Sequence, residues 1–531
     1  MTLWPVIAVP LLVGVALLIW WTWRRPVWGL AVLMGGIAFH NLAVLLLVSV
    51  DTPALLVRVL QLWKEAVIAV LLVKVVVEII QGARTGRAAG WLDSWKASSM
   101  GVKVTDLSVA AFSTLLVVYL FLPQPLFGPE APSLGQRVIG FRLLALIPAF
   151  YVLGRYWAMK PPVGLAVMMG VTLAAAAAVG LLGFFELWFV PTSVWPSIGM
   201  ADLSSLQGYA YGGPAGLPEN FFQATSSGLL LRRMVSSYLS PLGIAYTGLL
   251  VVPMAVGMLD SPTFARVRRW VWVALVIVVA AIAMSLTRLA ILCLVAEATA
   301  LVVVLRRKEA VAVLGLVVSG ALFGLLLYPS LGPIVDHQLT DIRPPAGAAL
   351  VTAVIRQASD RPPGPGAGDG TVPPPTSDII DQMVSGEDSS IRGHIRALVE
   401  GLPLVIRNPA GLGLGASTFR FGTGTGPEES AILGIAGELG VAGLIFALVS
   451  YGGSVLLAFA CAWRQPSGTH VGLALLAAFG GAALLPVALT SAVWGDFSVT
   501  YLFWTAAGAS VTAYAALPRR SRAVLSAVGS A

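Results

Sequence analysis

The sequence predicts an all-α fold, a polytopic transmembrane helical bundle of about 12–13 spans with one large extracytoplasmic loop. Hydrophobic residues make up 57% of the 531 residues and charged residues only 11%, and the mean hydropathy is +0.87. No soluble core needs so much apolar sequence. The Lys and Arg residues fall mostly in short segments between the apolar runs, which is the distribution found in membrane proteins.

Thirteen apolar runs are long enough to cross a bilayer. Their predicted bounds are 3–22, 27–49, 54–80, 105–123, 140–157, 163–187, 239–258, 270–287, 289–306, 309–328, 431–460, 469–490 and 498–517. The first run lacks a basic segment before it and a small-residue cleavage site after it, so we interpret it as a retained helix rather than a signal peptide. It could also lie in the membrane interface, which would leave twelve crossings.

Placing every basic loop in the cytoplasm requires an outside N-terminus and an inside C-terminus. Residues 1–328 then form an N-terminal transmembrane bundle with an outer loop at 188–238, and 431–531 form the C-terminal helices. Residues 329–430 form the large extracytoplasmic loop, in which the Pro/Gly tract 361–378 predicts disorder. The net charge of +8 is spread over these loops, and this distribution argues against nucleic acid as a partner.

The second half of this large loop predicts a helix lying on the membrane surface. Between residues 391 and 408 the apolar residues recur at helical spacing, while Arg392, Arg396 and Glu400 share another face. Asn408-Pro409, followed by three alternating glycines from Gly411, then predicts a tight backbone turn. The pattern is that of an interfacial helix in contact with the lipid bilayer.

The third run contains charged residues that a lipid-facing helix would not tolerate, because each costs about 2.5–3.5 kcal/mol at bilayer depth. Lys74 and Glu78 are four residues apart and can neutralise each other. Lys64 and Glu65 point about 100° apart on a helix. We therefore expect that these two do not simply pair, and that they line a polar cavity where they contact substrate.

Three arginines beside apolar runs are candidate binding residues. Arg288 follows Ser285 and Thr287 in the segment SLTRLAIL, at the outer end of its span. The planar guanidinium group matches phosphate oxygens, so this group could hold a diphosphate. Arg232 and Arg233 share the outer location, where they could contact either lipid headgroups or substrate.

Three segments together resemble the O-antigen ligase and O-antigen polymerase family of bacterial polytopic membrane proteins: SLTRLAIL, IRNPAGLGLG, and EESAILGIAGELGVAGLIF after the large outer loop. The resemblance implies C-type glycosyltransferase architecture in the bacterial cytoplasmic (inner) membrane, with the active site on the extracytoplasmic side. It implies transfer of a glycan from undecaprenyl diphosphate to a sugar hydroxyl acceptor, without a metal or other cofactor. Other proteins of an envelope polysaccharide assembly complex could be partners.

The sequence departs from the family pattern at two positions. Where the family has an arginine before the Asn-Pro-Gly turn, this chain has His394, with Arg392 and Arg396 on either side. Where ligases have a catalytic histidine, eleven residues before the Gly of Glu-Leu-Gly, this chain has Glu429. The resulting hypothesis is that Arg288 with Arg392 or Arg396 holds the diphosphate, while Glu429 deprotonates the acceptor hydroxyl.

Three other functions remain open from the sequence. A lipid-linked glycan flippase or transporter would use the charged third run as its pathway. A C-type glycosyltransferase that uses a polyprenyl-phosphate sugar would need an acid in the first outer loop, where Asp51 stands, although an Asp before Thr-Pro also suits a turn or helix cap. A non-catalytic scaffold of an envelope complex is the third. The choice between polymerase and ligase also stays open.

Overall fold

The fold is known from a computed structural model, which describes residues 4–84, 95–96, 98–127, 131–158, 163–206, 211–225, 228–306, 308–343, 389–417, 430–465 and 468–517. This part of the chain is nearly all helical. Its helices are α1 (Trp4–Arg24), α2 (Pro26–Gly36), α3 (His40–Ser49), α4 (Ala54–Gln61), α5 (Trp63–Arg84), α6 (Met100–Phe121), α7 (Leu134–Leu144), α8 (Leu146–Trp157), α9 (Val163–Phe189), α10 (Val194–Ser197), α11 (Met200–Leu206), α12 (Pro241–Asp260), α13 (Arg268–Met284), α14 (Arg288–Leu305), α15 (Lys308–Leu322), α16 (Tyr328–Leu331), α17 (Ser389–Arg407), α18 (Ala431–Arg464), α19 (Thr469–Leu475), α20 (Gly481–Thr490) and α21 (Phe497–Ala515).

Eleven helices of the described residues are long and apolar enough to cross a membrane, which indicates a multi-pass membrane protein. They correspond to eleven of the thirteen predicted runs. The other two, 54–80 and 498–517, are helical as α4 with α5 and as α21, but they are not among the eleven. Run 54–80 is broken between Gln61 and Trp63 and carries charges along α5. The ion pair between Lys74 and Glu78 is confirmed, at 3.7 Å.

The helix α21 lies in the middle of the bundle, and its residues are buried along almost its whole length. It packs tightly against α8 because glycines remove side chains at the crossing. A Cβ atom added to Gly154 would collide with the Thr505 carbonyl, and one added to Gly508 would collide with the Tyr151 carbonyl. Small residues allow this close backbone approach in membrane helices, where dispersion contacts replace the hydrophobic effect. A helix surrounded by protein in this way need not be strongly apolar.

Two segments that are far apart in sequence meet in a small antiparallel sheet at one end of the bundle. Its strands are β1 (Phe222–Ala224), β2 (Leu230–Arg232), β3 (Ile334–Val335) and β4 (Asp341–Arg343), in the order β1-β2-β3-β4. Asp341, the first residue of β4, accepts a hydrogen bond from the Thr192 hydroxyl at 2.7 Å. We call this end of the bundle the sheet end. The sheet joins the regions predicted as the two outer loops.

The helix α18 is interrupted at Gly440, where φ is +69°. This break leaves backbone groups of α18 without hydrogen-bond partners inside the helix. The segment after α17 provides the missing donors and acceptors. The Leu412 amide donates to the Gly437 carbonyl at 2.7 Å, and the Val441 amide donates to the Pro409 carbonyl at 2.9 Å. A Cβ atom at Gly411 would lie 2.6 Å from the Gly440 nitrogen. The predicted turn therefore exists, and its glycines let it dock against the broken helix.

The predicted surface helix 391–408 is present as α17, Ser389–Arg407. It displays a continuous apolar stripe on its exposed side, formed by Ile395, Val399, Leu402 and Ile406. Their spacing of four, three and four residues puts them on one face. The predicted disordered tract 361–378 lies outside the described residues.

Candidate functional site

Arg288, the predicted diphosphate ligand, lies close to Arg233 at the sheet end. For Arg233 the sequence predicts contact with lipid headgroups or substrate. Arg233 follows β2, and Arg288 is the first residue of α14, after the turn that joins α13 to α14. Arg233 binds this turn directly: Nε donates to the Ser285 carbonyl at 2.7 Å and Nη2 donates to the Thr287 hydroxyl at 2.9 Å. In the turn, Leu286 adopts a left-handed backbone with φ of +51°. The sequence predicted both arginines, and the structure brings them together.

The charge of Arg233 has no carboxylate beside it in the described part of the chain. Its two hydrogen-bond acceptors are neutral, and the groups that act on it electrostatically are Tyr246, Tyr328 and the like charge of Arg288. Burial and then the Arg288 cation lower the pKa of the Arg233 guanidinium to about 10, so the group remains charged at neutral pH. A guanidinium held by neutral acceptors beside a second cation is suited to binding an anion.

Arg232 has a different environment, although it precedes Arg233 in the chain. Its Nη2 atom pairs with Glu186 Oε1 at 2.7 Å, and its Nη1 atom donates to the Val190 carbonyl at 2.7 Å. Both side chains are almost completely buried. The sequence left Arg232 open between lipid and substrate contact; its geometry instead fixes β2 to the end of α9.

Lys64 and Glu65 lie at the start of α5, and the expectation that they cannot pair is wrong. Lys64 Nζ is 3.7 Å from Glu65 Oε1, and Nε of Arg142 donates to the same carboxylate oxygen at 2.8 Å. Lys64 Nζ also lies 2.7 Å from Nε2 of His40. The long, flexible lysine chain overcomes the angular separation of the two residues on the helix. In this cluster Lys64 and Arg142 share the single carboxylate of Glu65, so each cation has an ion-pair partner.

Asp496, which sequence reasoning missed, caps the N-terminus of α21 and accepts a hydrogen bond from the Ser498 amide at 2.8 Å. Its carboxylate acts electrostatically on Tyr238 and on Tyr246, the tyrosine beside Arg233. The ring of the next residue, Phe497, lies 5.2 Å from Lys64 Nζ. Gly495 and Asp496 precede an apolar run, and Asp is a preferred N-cap residue, so the sequence could have indicated a helix start at Asp496.

The other predicted site residues fall in or near α17 and before α18. Arg396 is 78% exposed and pairs with Glu400 at 2.7 Å, one turn further along α17. His394 lies on the same helix and is half-buried. The side chain of Arg392 and the whole of Glu429 lie outside the described residues.

The first described residue after Glu429 is Ser430, and it lies at the sheet end. Its hydroxyl donates to the Ala488 carbonyl at 3.1 Å, and the next amide, of Ala431, donates to the Ser491 carbonyl at 3.0 Å. Ser491 is in turn hydrogen-bonded to Tyr246, the neighbour of Arg233. The beginning of α18 and the arginine pair are therefore connected through two intervening residues.

Three residues outside this site have simple structural roles. Asp51 is exposed, and its left-handed backbone, with φ of +56°, fits the turn that was the alternative to a catalytic acid. Cys293 and Cys461 are free and buried, and each packs as a small apolar residue.

Comparisons with known proteins add no family assignment. Neither protein-family models nor curated proteins match this chain.

Proposed function

We propose that this protein is a membrane glycan transferase that moves a glycan from an undecaprenyl diphosphate carrier to a sugar hydroxyl, as an O-antigen or exopolysaccharide polymerase or ligase does. The observation that supports this most is the pair of Arg233 and Arg288. The guanidinium of Arg233 is held by neutral acceptors, and its charged neighbour is another cation. A diphosphate would relieve this repulsion and would match the donor geometry of both groups.

The proposed reaction is a displacement at the anomeric carbon of the carrier-linked sugar. The acceptor oxygen forms a bond to this carbon while the bond from the carbon to the diphosphate oxygen breaks. The electron pair stays on the leaving diphosphate, and Arg233 and Arg288 stabilise its charge. The hydroxyl proton passes to a carboxylate base, the role that the sequence gives to Glu429. The link from Ala431, at the start of α18, through Ser491 and Tyr246 to Arg233 supports a base near the start of α18 that serves the same site.

The test uses the full-length protein in liposomes with an undecaprenyl diphosphate-linked glycan, and the readout is release of undecaprenyl diphosphate. Arg233→Ala and Arg288→Ala should each lower turnover by about 10²–10³-fold, as loss of a charge-stabilising donor typically does. Arg268→Ala is the matched control, because Arg268 is half-exposed and pairs with Glu309 away from this site. Wild-type turnover in both variants of the pair would reject the proposed phosphate site.

A flippase or transporter is the second candidate, and the break in α18 at Gly440 favours it. Interrupted helices surround the binding sites of many transporters. A flippase would move the lipid-linked glycan across the bilayer and leave its diphosphate bond intact. Translocation of the lipid without release of undecaprenyl diphosphate in the same liposomes would therefore favour this function over transfer.

A further inference from the structure

Three glutamates of the described residues are buried in apolar helices: Glu186, Glu297 and Glu438. Glu438 accepts a hydrogen bond from the Ser417 amide at 3.2 Å. The other two have opposite surroundings. Glu186, near the end of α9, is 5% exposed and accepts hydrogen bonds from Arg232 at 2.7 Å and from Trp195 at 3.3 Å. Glu297, in α14, is 4% exposed, and neither of its carboxyl oxygens has a hydrogen-bond partner among the described residues. The carboxylate of Glu186 is compensated, whereas that of Glu297 is not.

Glu297 also lies halfway along its helix. It is nine residues after Arg288 and eight before Leu305, which places it about 13 Å from one end and 12 Å from the other at 1.5 Å per residue. The neighbouring positions on this side of α14 are buried and mostly apolar, including Leu294, Ala298 and Leu301. The carboxyl group therefore stands at the middle of a candidate membrane span rather than at its hydrated end.

An ionised carboxylate in this position would be buried from solvent and would have no counter-charge among the described residues, and such a state is strongly disfavoured. A bound metal ion would need several oxygen ligands, and the two carboxyl oxygens have no further polar partner in the described part of the chain. A proton needs no additional ligand. Protonation makes the side chain neutral and removes the largest part of the burial cost.

We propose that Glu297 is a proton-binding site in the middle of the membrane, occupied in the packed conformation seen here. Protonatable carboxyl groups at this depth are characteristic of membrane proteins that couple their work to protons. The carboxyl releases its proton when the helices around α14 move and water reaches it. This site lies outside the proposed phosphate site, and its occupancy does not depend on the proposed transfer reaction.

Infrared spectroscopy of the full-length protein in liposomes tests the proton directly. The difference spectrum between wild type and Glu297→Gln should contain the carbonyl band of a protonated carboxyl group at neutral pH, where an exposed glutamate with a pKa of about 4.3 is ionised. The band should shift in D2O, because a bound proton that is released must exchange. The corresponding difference spectrum for Glu186→Gln is the matched control, and it should contain the bands of an ionised carboxylate.

A hydrophobic carbodiimide provides a second readout that does not depend on activity. The acid proton moves to a carbodiimide nitrogen while the carboxyl oxygen bonds to the central carbon, so a protonated carboxyl in an apolar phase becomes a covalent adduct. Peptide mass spectrometry should find the adduct on Glu297 and not on Glu186. A carboxylate band for Glu297 in the infrared spectrum, or a protonated band that does not shift in D2O, would overturn the proposal whatever the labelling result.

Discussion

Arg232 and Arg233 are neighbours in the chain, but they belong to two different electrostatic regions. Arg232 lies in what we call the Glu186 pocket, where it is 3% exposed and forms an ion pair. Arg233 lies at the Arg288 turn, residues 285–288, where it contacts neutral acceptors and a second cation. Arg232 is the last residue of β2, whereas Arg233 lies just beyond the strand and binds the turn after α13.

The difference between these regions distinguishes a structural charge from a candidate binding charge. A buried ion pair satisfies itself, and breaking it leaves one charge without compensation. A half-buried cation with neutral partners and a cationic neighbour lacks such compensation, which is the basis for proposing that it binds an anion. Composition and spacing treat the two arginines alike, so charge compensation in three dimensions is the criterion that separates them.

The largest expected effect on stability comes from Arg232→Ala. It leaves Glu186 buried without its partner, and we expect a loss of about 3–5 kcal/mol in the free energy of unfolding. Arg233→Ala removes two hydrogen bonds but also relieves repulsion from Arg288, so its loss should stay below about 2 kcal/mol. Equilibrium unfolding of the purified protein in mixed micelles measures both values.

The matched control for this prediction is the double variant Arg232→Met with Glu186→Leu, which replaces the ion pair by apolar side chains of similar size. It should recover most of the stability lost in Arg232→Ala, because no charge is left buried alone. If Arg233→Ala destabilised the protein as much as Arg232→Ala, the division between the two regions would be incorrect.

The sequence predicted the membrane helices well, because long apolar runs have few alternatives in structure. It also predicted α17 and the pairing of Lys74 with Glu78, both of which depend on residues close in the chain. It did not predict the partner of Arg232, since Glu186 stands 46 residues earlier and nothing local connects them. Contacts across such distances arise from packing, which hydrophobic periodicity does not encode.

The cluster of Lys64, Glu65 and Arg142 also contains ion pairs, but they are more exposed than the pair in the Glu186 pocket and should stabilise the fold less. Here one carboxylate faces two cations, but the side chain of Glu65 is 22% exposed and that of Arg142 is 43% exposed. Glu65→Gln should therefore cost about 1–2 kcal/mol, between the values of a buried pair and a surface pair. The same unfolding assay at low and high salt would measure it, and salt should reduce the cost.

Lys64→Met is the control for this cluster, because removing one cation leaves Glu65 paired with Arg142. The double variant with Glu65→Gln and Lys64→Met should be more stable than Glu65→Gln alone. If Lys64→Met changed the stability equally in the wild type and in the Glu65→Gln variant, Lys64 would not be coupled to the carboxylate, despite their separation of 3.7 Å.

Sequence reasoning reached part of the candidate site and missed the rest for a physical reason. Arg288 and Arg233 were identifiable because each stands beside an apolar run. The vicinal pair of Lys64 and Glu65 was misjudged, since helix geometry fixes the direction of Cβ but not the end of a four-carbon side chain. Asp496 was missed because an N-cap residue has an ordinary structural explanation, and its nearness to Tyr246 depends on how α12 and α21 pack.

The smallest expected effect on stability belongs to Arg396, whose pairing with Glu400 on α17 is exposed to solvent. Arg396→Ala should leave the thermal unfolding temperature unchanged, because water and salt screen such a pair. The Arg396→Ala variant is informative in the activity assay, because the sequence also predicts substrate contact for Arg396. Slower glycan transfer at unchanged stability would extend the phosphate site from the Arg288 turn to α17. Unchanged transfer, with Glu400→Ala as the matched control, would confine the site to Arg233 and Arg288.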